Sequence, residues 1–258
     1  LMAITIDIDT ARPYQVHVGT FLLEQAGPLM RATAGGTKAV IVTDTNVGPL
    51  YQMPVKQSLE ASGYEVSICT FEAGEAHKRA ETYINILEFV AEHELSRSDV
   101  IVALGGGVVG DVAGFVAATY MRGCKFVQIP TSLLAMVDSS VGGKTAINLE
   151  AGKNLVGAFK QPAFVCADTE VLATLPPREW ACGCGEVAKT ALIDGDEFFF
   201  WLSDQVSAVV DRQPDAVSGA IARCVVFKAD VVAQDKTESR GVRECLNYGH
   251  TLAHAIEK

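Results

Sequence analysis

Gly105-Gly106-Gly107-Val108-Val109-Gly110 fits the pattern G-x-G-x-x-G and stands between the apolar run Val100–Leu104 and a stretch, Ala113–Met121, with helical character. Glycines at such a junction let the backbone approach a pyrophosphate, while the helix N-terminus offers free N–H groups and a dipole that favours an anion. A glycine turn made for tight packing fits the same spacing. The dinucleotide fingerprint also asks for an acidic residue about 20 positions on, at the end of the next strand. Cys124–Pro130 holds none. Asp44, closing an earlier apolar run, is the better partner for a ribose, and the loop Gly74-Glu75-Ala76-His77-Lys78 adds a carboxylate and a cation.

A second cluster follows. Arg122 precedes Pro130-Thr131-Ser132, then Met136-Val137-Asp138-Ser139-Ser140-Val141-Gly142-Gly143-Lys144-Thr145, then Gly152-Lys153-Asn154. Cations, glycines and short polar side chains so close together suit a small oxygenated anion such as a sugar phosphate. A solvated loop would explain the glycines and serines, but not one Asp placed directly after the apolar Leu133–Val137.

Farther on, Glu186 and Lys189 are three apart, on one side of a helix, as a surface ion pair would be. Lys228 falls on the apolar stripe of its helix, where a lysine either snorkels or points into a cleft. Arg243, Asn247, His250 and His254 recur at intervals of four, three and four on one helical face. Such a histidine pair binds a divalent metal, divides between a ligand and an acid–base group, or simply packs.

The elements that position these residues alternate. Strands are expected at Ile4–Asp9, Tyr14–Val18, Ala39–Val42, Tyr64–Phe71, Val100–Leu104 and Phe126–Ile129, and helices at His77–His93 and Ala113–Met121. This alternation predicts a Rossmann-like α/β fold with a mostly parallel sheet and helices on both faces. From Pro176-Pro177 the pattern turns helical, with strong segments at Ala216–Val232 and Asn247–Glu257. The expected division is an α/β part, residues 1–172, and an all-α part, residues 173–258.

Composition sets the limits. The 258 residues carry 21 Lys+Arg against 31 Asp+Glu, a formal charge of −10, which argues against a nucleic-acid partner. No run of 18 apolar residues indicates a membrane span, and the N-terminus lacks a signal-peptide pattern. Seven cysteines, an odd number, read as reduced thiols in the cytoplasm. Cys182-Gly183-Cys184 is too closely spaced for a zinc knuckle and is expected to pack at a tight turn.

Taken together, the Gly105–Asp111 run, Met121-Arg122-Gly123, Pro130–Thr145, Gly152-Lys153-Asn154, Gly185–Lys189 and Leu246-Asn247-Tyr248-Gly249-His250-Thr251 resemble 3-dehydroquinate synthase, within the sugar phosphate cyclases. The resemblance runs from Asp44 to the end of the chain. It implies a dimeric lyase, dependent on NAD and on Zn2+ or Co2+, that converts 3-deoxy-D-arabino-heptulosonate 7-phosphate to 3-dehydroquinate in the shikimate pathway.

Carried over by position, the resemblance gives each residue a role. Asp44, Glu75, Lys78, Gly106, Gly107, Asp111, Thr131, Ser132, Lys144, Lys153 and Thr174 would hold NAD. Asp138 and Lys189 would bind substrate hydroxyls. Lys144, Asn154 and His254 would hold the phosphate, with Arg122 reaching in from the neighbouring subunit. Lys228, Arg243 and Asn247 would grip the substrate carboxylate, and Glu186 and His250 would bind the metal. The stretch Asp235–Arg243 is one residue longer than the family spacing. In the family a third metal-binding histidine and a further phosphate-binding lysine lie past the position of Lys258, so the all-α part is expected to be incomplete. A cyclitol-forming cyclase, a metal-dependent polyol dehydrogenase and a non-catalytic NAD-binding remnant are the alternatives.

Overall fold

Strands buried on both faces show as uninterrupted apolar runs, and such runs build the centre of the sheet. The computed structural model describes residues 3–235 and 241–249, except the side chains of residues 242 and 243. Its strands are Ile4–Ile8 (β1), Tyr14–Gly19 (β2), Lys38–Asp44 (β3), Glu65–Phe71 (β4), Val100–Gly105 (β5), Lys125–Pro130 (β6), Lys144–Leu149 (β7), Gly152–Phe159 (β8) and Phe164–Asp168 (β9). Seven of them form one sheet in the order β1-β2-β9-β6-β5-β3-β4, while β7 and β8 pair as a separate antiparallel hairpin. Within the sheet only β1 and β2 are antiparallel.

Strand alternation divides the core between the two faces. Val100, Val102 and Leu104 of β5 join one cluster with Met30, Val55, Leu59 and Ile221, while Ile101 and Ala103 join the other with Ile86, Val90 and Val116. Helices Ala26–Thr33 (α1) and Gly48–Ala61 (α2) cover the first face, and Ala80–Glu92 (α3) and Gly107–Thr119 (α4) the second. Pro177–Asp194 (α5), Asp196–Val210 (α6) and Pro214–Gln234 (α7) follow, and Trp180, Phe198 and Cys224 from them belong to the first cluster too. Among the described residues no helix is long and apolar enough to cross a membrane.

Several expectations shift. Helix α4 begins at Gly107, six residues before the expected Ala113, and Met121 lies outside it with a positive φ of 49°. Helix α3 begins at Ala80, because residues 75–77 form a 3-10 turn instead. Cys182 and Cys184 sit inside α5 rather than at a turn, and a Cβ on Gly183 would come within 2.5 Å of Leu133. The expected helix from Asn247 lies outside the described residues beyond Gly249, and Asn247 itself closes a 3-10 segment, Val242–Asn247.

Candidate functional site

In open α/β sheets ligands settle outside the carboxyl ends of the strands, where the strand order reverses. Here the chain runs outward from β3 to β4 and then returns to place β5 on the opposite side of β3. The reversal lies between β3 and β5, whose carboxyl ends are Asp44 and Gly105. The parallel ends of β4, β6 and β9 bring the segments that carry Glu75 and Lys78, Thr131 and Ser132, and Thr174 to the same edge.

The two explanations of the glycine run apply to different glycines. A Cβ on Gly105 would lie 2.5 Å from Val109 Cγ2 and 2.6 Å from its Cβ, so packing demands a glycine there, while one on Gly110 would lie 2.7 Å from the Oε1 of the buried Gln128, which would have to shift. Gly106, the N-cap of α4, has φ −75° and would meet nothing nearer than Ser132 Oγ at 3.5 Å. Neither backbone strain nor packing requires a glycine there. An unobstructed backbone at a helix N-terminus is what an approaching pyrophosphate needs, so this loop fits a dinucleotide. Asp44 is buried, and its Oδ1 accepts from the N–H groups of Asn46 and Val47, both 2.9 Å away, fixing the turn into α2. Thr174 Oγ1 is 2.6 Å from the Tyr51 hydroxyl.

One cation ties this loop to the hairpin. Lys78, 5% exposed, places Nζ 2.5 Å from both Asp111 Oδ2 and Asn154 Oδ1. Burial pushes the Asp111 carboxyl above the usual carboxylate range, with the Lys78 ammonium opposing it and Glu75 adding to it. Thr131 N–H donates to Gly105 O at 3.0 Å, and Ser132 Oγ accepts from Ala135 N–H at 3.3 Å.

Asp138 lies in a π-helical turn, Ala135–Ser139, a distortion frequent at functional sites. The turn buries Met136 and Val137 and leaves Asp138 facing α7, where Lys228 Nζ reaches its Oδ1 at 2.5 Å and its backbone O at 2.6 Å. Lys228 therefore points into the cleft. The Glu186–Lys189 pair also faces inward: Oε1 and Nζ are 2.5 Å apart, both side chains are largely buried, and Nζ donates to Leu246 O at 2.7 Å. Lys144 opens β7, and Lys153 with Asn154 lies on β8.

Arg122 is not brought to this edge. It follows α4, 13 residues long, in a left-handed turn (φ 63°) just before β6 begins, at the amino ends of the parallel strands. A helix of that length separates it from the Gly106 loop by roughly 20 Å. The Arg243 side chain, His250 and His254 lie outside the described residues. Among the described residues no three His, Cys, Asp or Glu side chains gather as a metal would require. Glu186 is a suitable ligand, but the described donors fall short of the three protein ligands usual for catalytic zinc.

Models of the 3-dehydroquinate synthase N-terminal and C-terminal regions match residues 68–182 and 183–258. The 3-dehydroquinate synthase of Desulforamulus reducens is 45% identical over 98% of this chain and 70% of its own length. The chain belongs to the 3-dehydroquinate synthase family. The synthase of Caulobacter vibrioides is 50% identical over 95% of this chain and 66% of its own, so the chain spans about two thirds of the length of these relatives. Among solved structures, 2-deoxy-scyllo-inosose synthase complexed with carbaglucose-6-phosphate, NAD+ and Co2+ superposes with a TM-score of 0.89 at 31% identity, covering 98% of this chain and 69% of that one. The 2-epi-5-epi-valiolone synthase of Streptomyces hygroscopicus subsp. jinggangensis, with NAD+ and Zn2+ bound, gives 0.82 at 29%, covering 92% and 66%.

Asn148 was missed by the motif reading. Its half-buried side chain bonds both Glu75 and Asn154, and only its place between Lys144 and Asn154 marks it in the sequence.

Proposed function

We propose that the chain carries the catalytic cleft of a 3-dehydroquinate synthase, an NAD- and metal-dependent carbon–oxygen lyase acting on 3-deoxy-D-arabino-heptulosonate 7-phosphate in the cytoplasm. The observation that carries this reading is Lys78, whose ammonium touches Asp111 behind the glycine loop and Asn154 on the hairpin. A dinucleotide site and a phosphate site are thereby built against each other. The 45–50% identity to named 3-dehydroquinate synthases favours this substrate over those of the cyclitol-forming synthases, at 29–31%.

In this reading Asp44, Glu75, Lys78, Gly106, Gly107, Asp111, Thr131, Ser132, Lys144, Lys153 and Thr174 surround NAD, which supplies a hydride acceptor that is restored within each turnover. Residues 1–172 form the NAD-binding part and 173–258 an all-α part that binds metal. Zn2+ or Co2+ on Glu186, His250 and a further ligand would polarise a substrate hydroxyl.

The rest falls to the chain's own side chains. Asp138, held by Lys228, accepts the hydrogen bond of the hydroxyl to be oxidised, and Lys189 donates to a neighbouring hydroxyl. The resulting ketone acidifies the adjacent C–H, whose proton passes to an oxygen of the phosphate as it leaves by β-elimination, and the hydride then returns to the ketone. Lys144, Asn154, His254 and the neighbouring subunit's copy of Arg122 stabilise the leaving phosphate. Lys228, Arg243 and Asn247 hold the carboxylate while the reduced ring opens and closes by an aldol step.

The test is turnover of the heptulosonate phosphate with catalytic NAD and Zn2+ or Co2+. Inorganic phosphate is expected in large excess over NAD with no net NADH. Stoichiometric NADH would mean a dehydrogenase, and NAD binding without phosphate release a non-catalytic remnant.

A further inference from the structure

Asn148 stands where the β7–β8 register breaks. Ile147 pairs with Val156 and Leu149 with Gly152, so Lys153, Asn154 and Leu155 all lie opposite Asn148. Bulges of this kind re-aim side chains. Released from the hairpin ladder, the Asn148 backbone forms a parallel bridge with Arg79 instead, and its N–H donates to Lys78 O at 2.7 Å. Its side chain is equally committed. Nδ2 donates to Glu75 Oε1 at 2.7 Å, and Oδ1 accepts from Asn154 N–H at 2.9 Å.

Asn154 needs such a hold. Its φ is +57°, a left-handed conformation that Asn adopts more readily than most residues but that persists where its surroundings hold it. Asn154 Oδ1 accepts from Lys78 Nζ, so of the two amide groups only the NH2 can donate to a phosphate.

We infer that Asn148 is a positioning residue, which clamps the bulge to the Glu75–Lys78 loop and so presents the Asn154 amide to the substrate phosphate. The inference rests on the reading of Asn154 as a phosphate ligand.

Three variants test it. Asn148→Ala removes both side-chain bonds. N148D keeps the acceptor for Asn154 N–H but sets a carboxylate against Glu75. In N148D/E75Q the carboxylate and the amide trade places, restoring a donor–acceptor pair. Misplacement of a ligand by an ångström is expected to cost roughly ten- to a hundredfold, so Asn148→Ala should raise KM for the heptulosonate phosphate by that factor. N148D should be impaired as well, and N148D/E75Q should recover to near the level of E75Q alone. An unchanged KM in Asn148→Ala, or a double variant no better than N148D, would overturn the inference.

Titration of inorganic phosphate onto the NAD-loaded protein keeps the two readings separable. If the unmodified protein turned nothing over, the proposed activity would fall. The phosphate affinities would still decide the role of Asn148, with the same ranking supporting it and equal affinities refuting it.

Discussion

At the scale of single residues, the glycine run contains two kinds of glycine that one motif cannot tell apart. A Cβ on Gly110 would stand 2.7 Å from the Oε1 of the buried Gln128, which would have to shift, whereas nothing lies within 3.5 Å of a Cβ on Gly106. Gly106→Ala should therefore fold with stability within about 0.5 kcal/mol of the parent, yet weaken NAD roughly tenfold by holding the pyrophosphate off the helix N-terminus. Gly110→Ala should do the reverse, lowering the unfolding midpoint through overpacking. Calorimetric NAD titration beside urea unfolding separates the two, and parallel losses in both assays would refute the division. The sequence pattern shows where a phosphate loop belongs; which of its glycines face the ligand depends on Val109, Gln128 and Ser132, contacts that spacing does not encode.

At the scale of elements, the site depends on β3 and β5 lying in register, and Asp99 sets that register from the far end of the sheet. Its Oδ1 accepts the N–H groups of Thr37 and Lys38 at 2.9 Å, and its Oδ2 accepts Ser96 N–H and Oγ at 2.8 and 2.6 Å. Burial alone would raise the Asp99 pKa, but these bonds outweigh it and hold the carboxyl down to about 2. A carboxyl depressed on folding stabilises the protein fully above its unfolded pKa, about 4, and loses that contribution as pH falls through about 2. Asp99→Asn, which turns an acceptor into a donor, should cost roughly 2 kcal/mol at pH 7. The gap to the parent should narrow between pH 4 and pH 2, and a gap independent of pH would contradict this account. The central strands β3, β5 and β6 were legible because burial on both faces makes them uninterrupted apolar runs. Strand β9 is not legible in the sequence, since Phe164-Val165-Cys166-Ala167-Asp168 is short and differs little from a helix turn in composition. The β7–β8 hairpin shows in the sequence only as a polar cluster, because most of β8 is exposed and its bulge breaks the alternation that marks a strand.

At the scale of the whole molecule, Arg122 decides whether one chain completes the cleft. The motif Met121-Arg122-Gly123 could be read from the sequence, but its position at the end of the sheet opposite Gly106 could not. That position follows from the length of α4 and the parallel direction of β5 and β6. The turn is built from three successive residues with positive φ, 49°, 63° and 115°. If the Arg122 of one subunit serves the phosphate site of another, Arg122→Ala and Lys144→Ala damage the same site from different chains. Each variant alone should turn over very little. Mixed and allowed to exchange subunits, half of the dimers would be hybrid, and each hybrid would hold one site with both cations intact. Phosphate release should then return to about a quarter of the parent rate, the value set by a two-fold assembly with shared sites. A mixture no more active than its components, with subunit exchange verified by a tagged chain, would show that Arg122 does not complete the phosphate site of a neighbouring subunit.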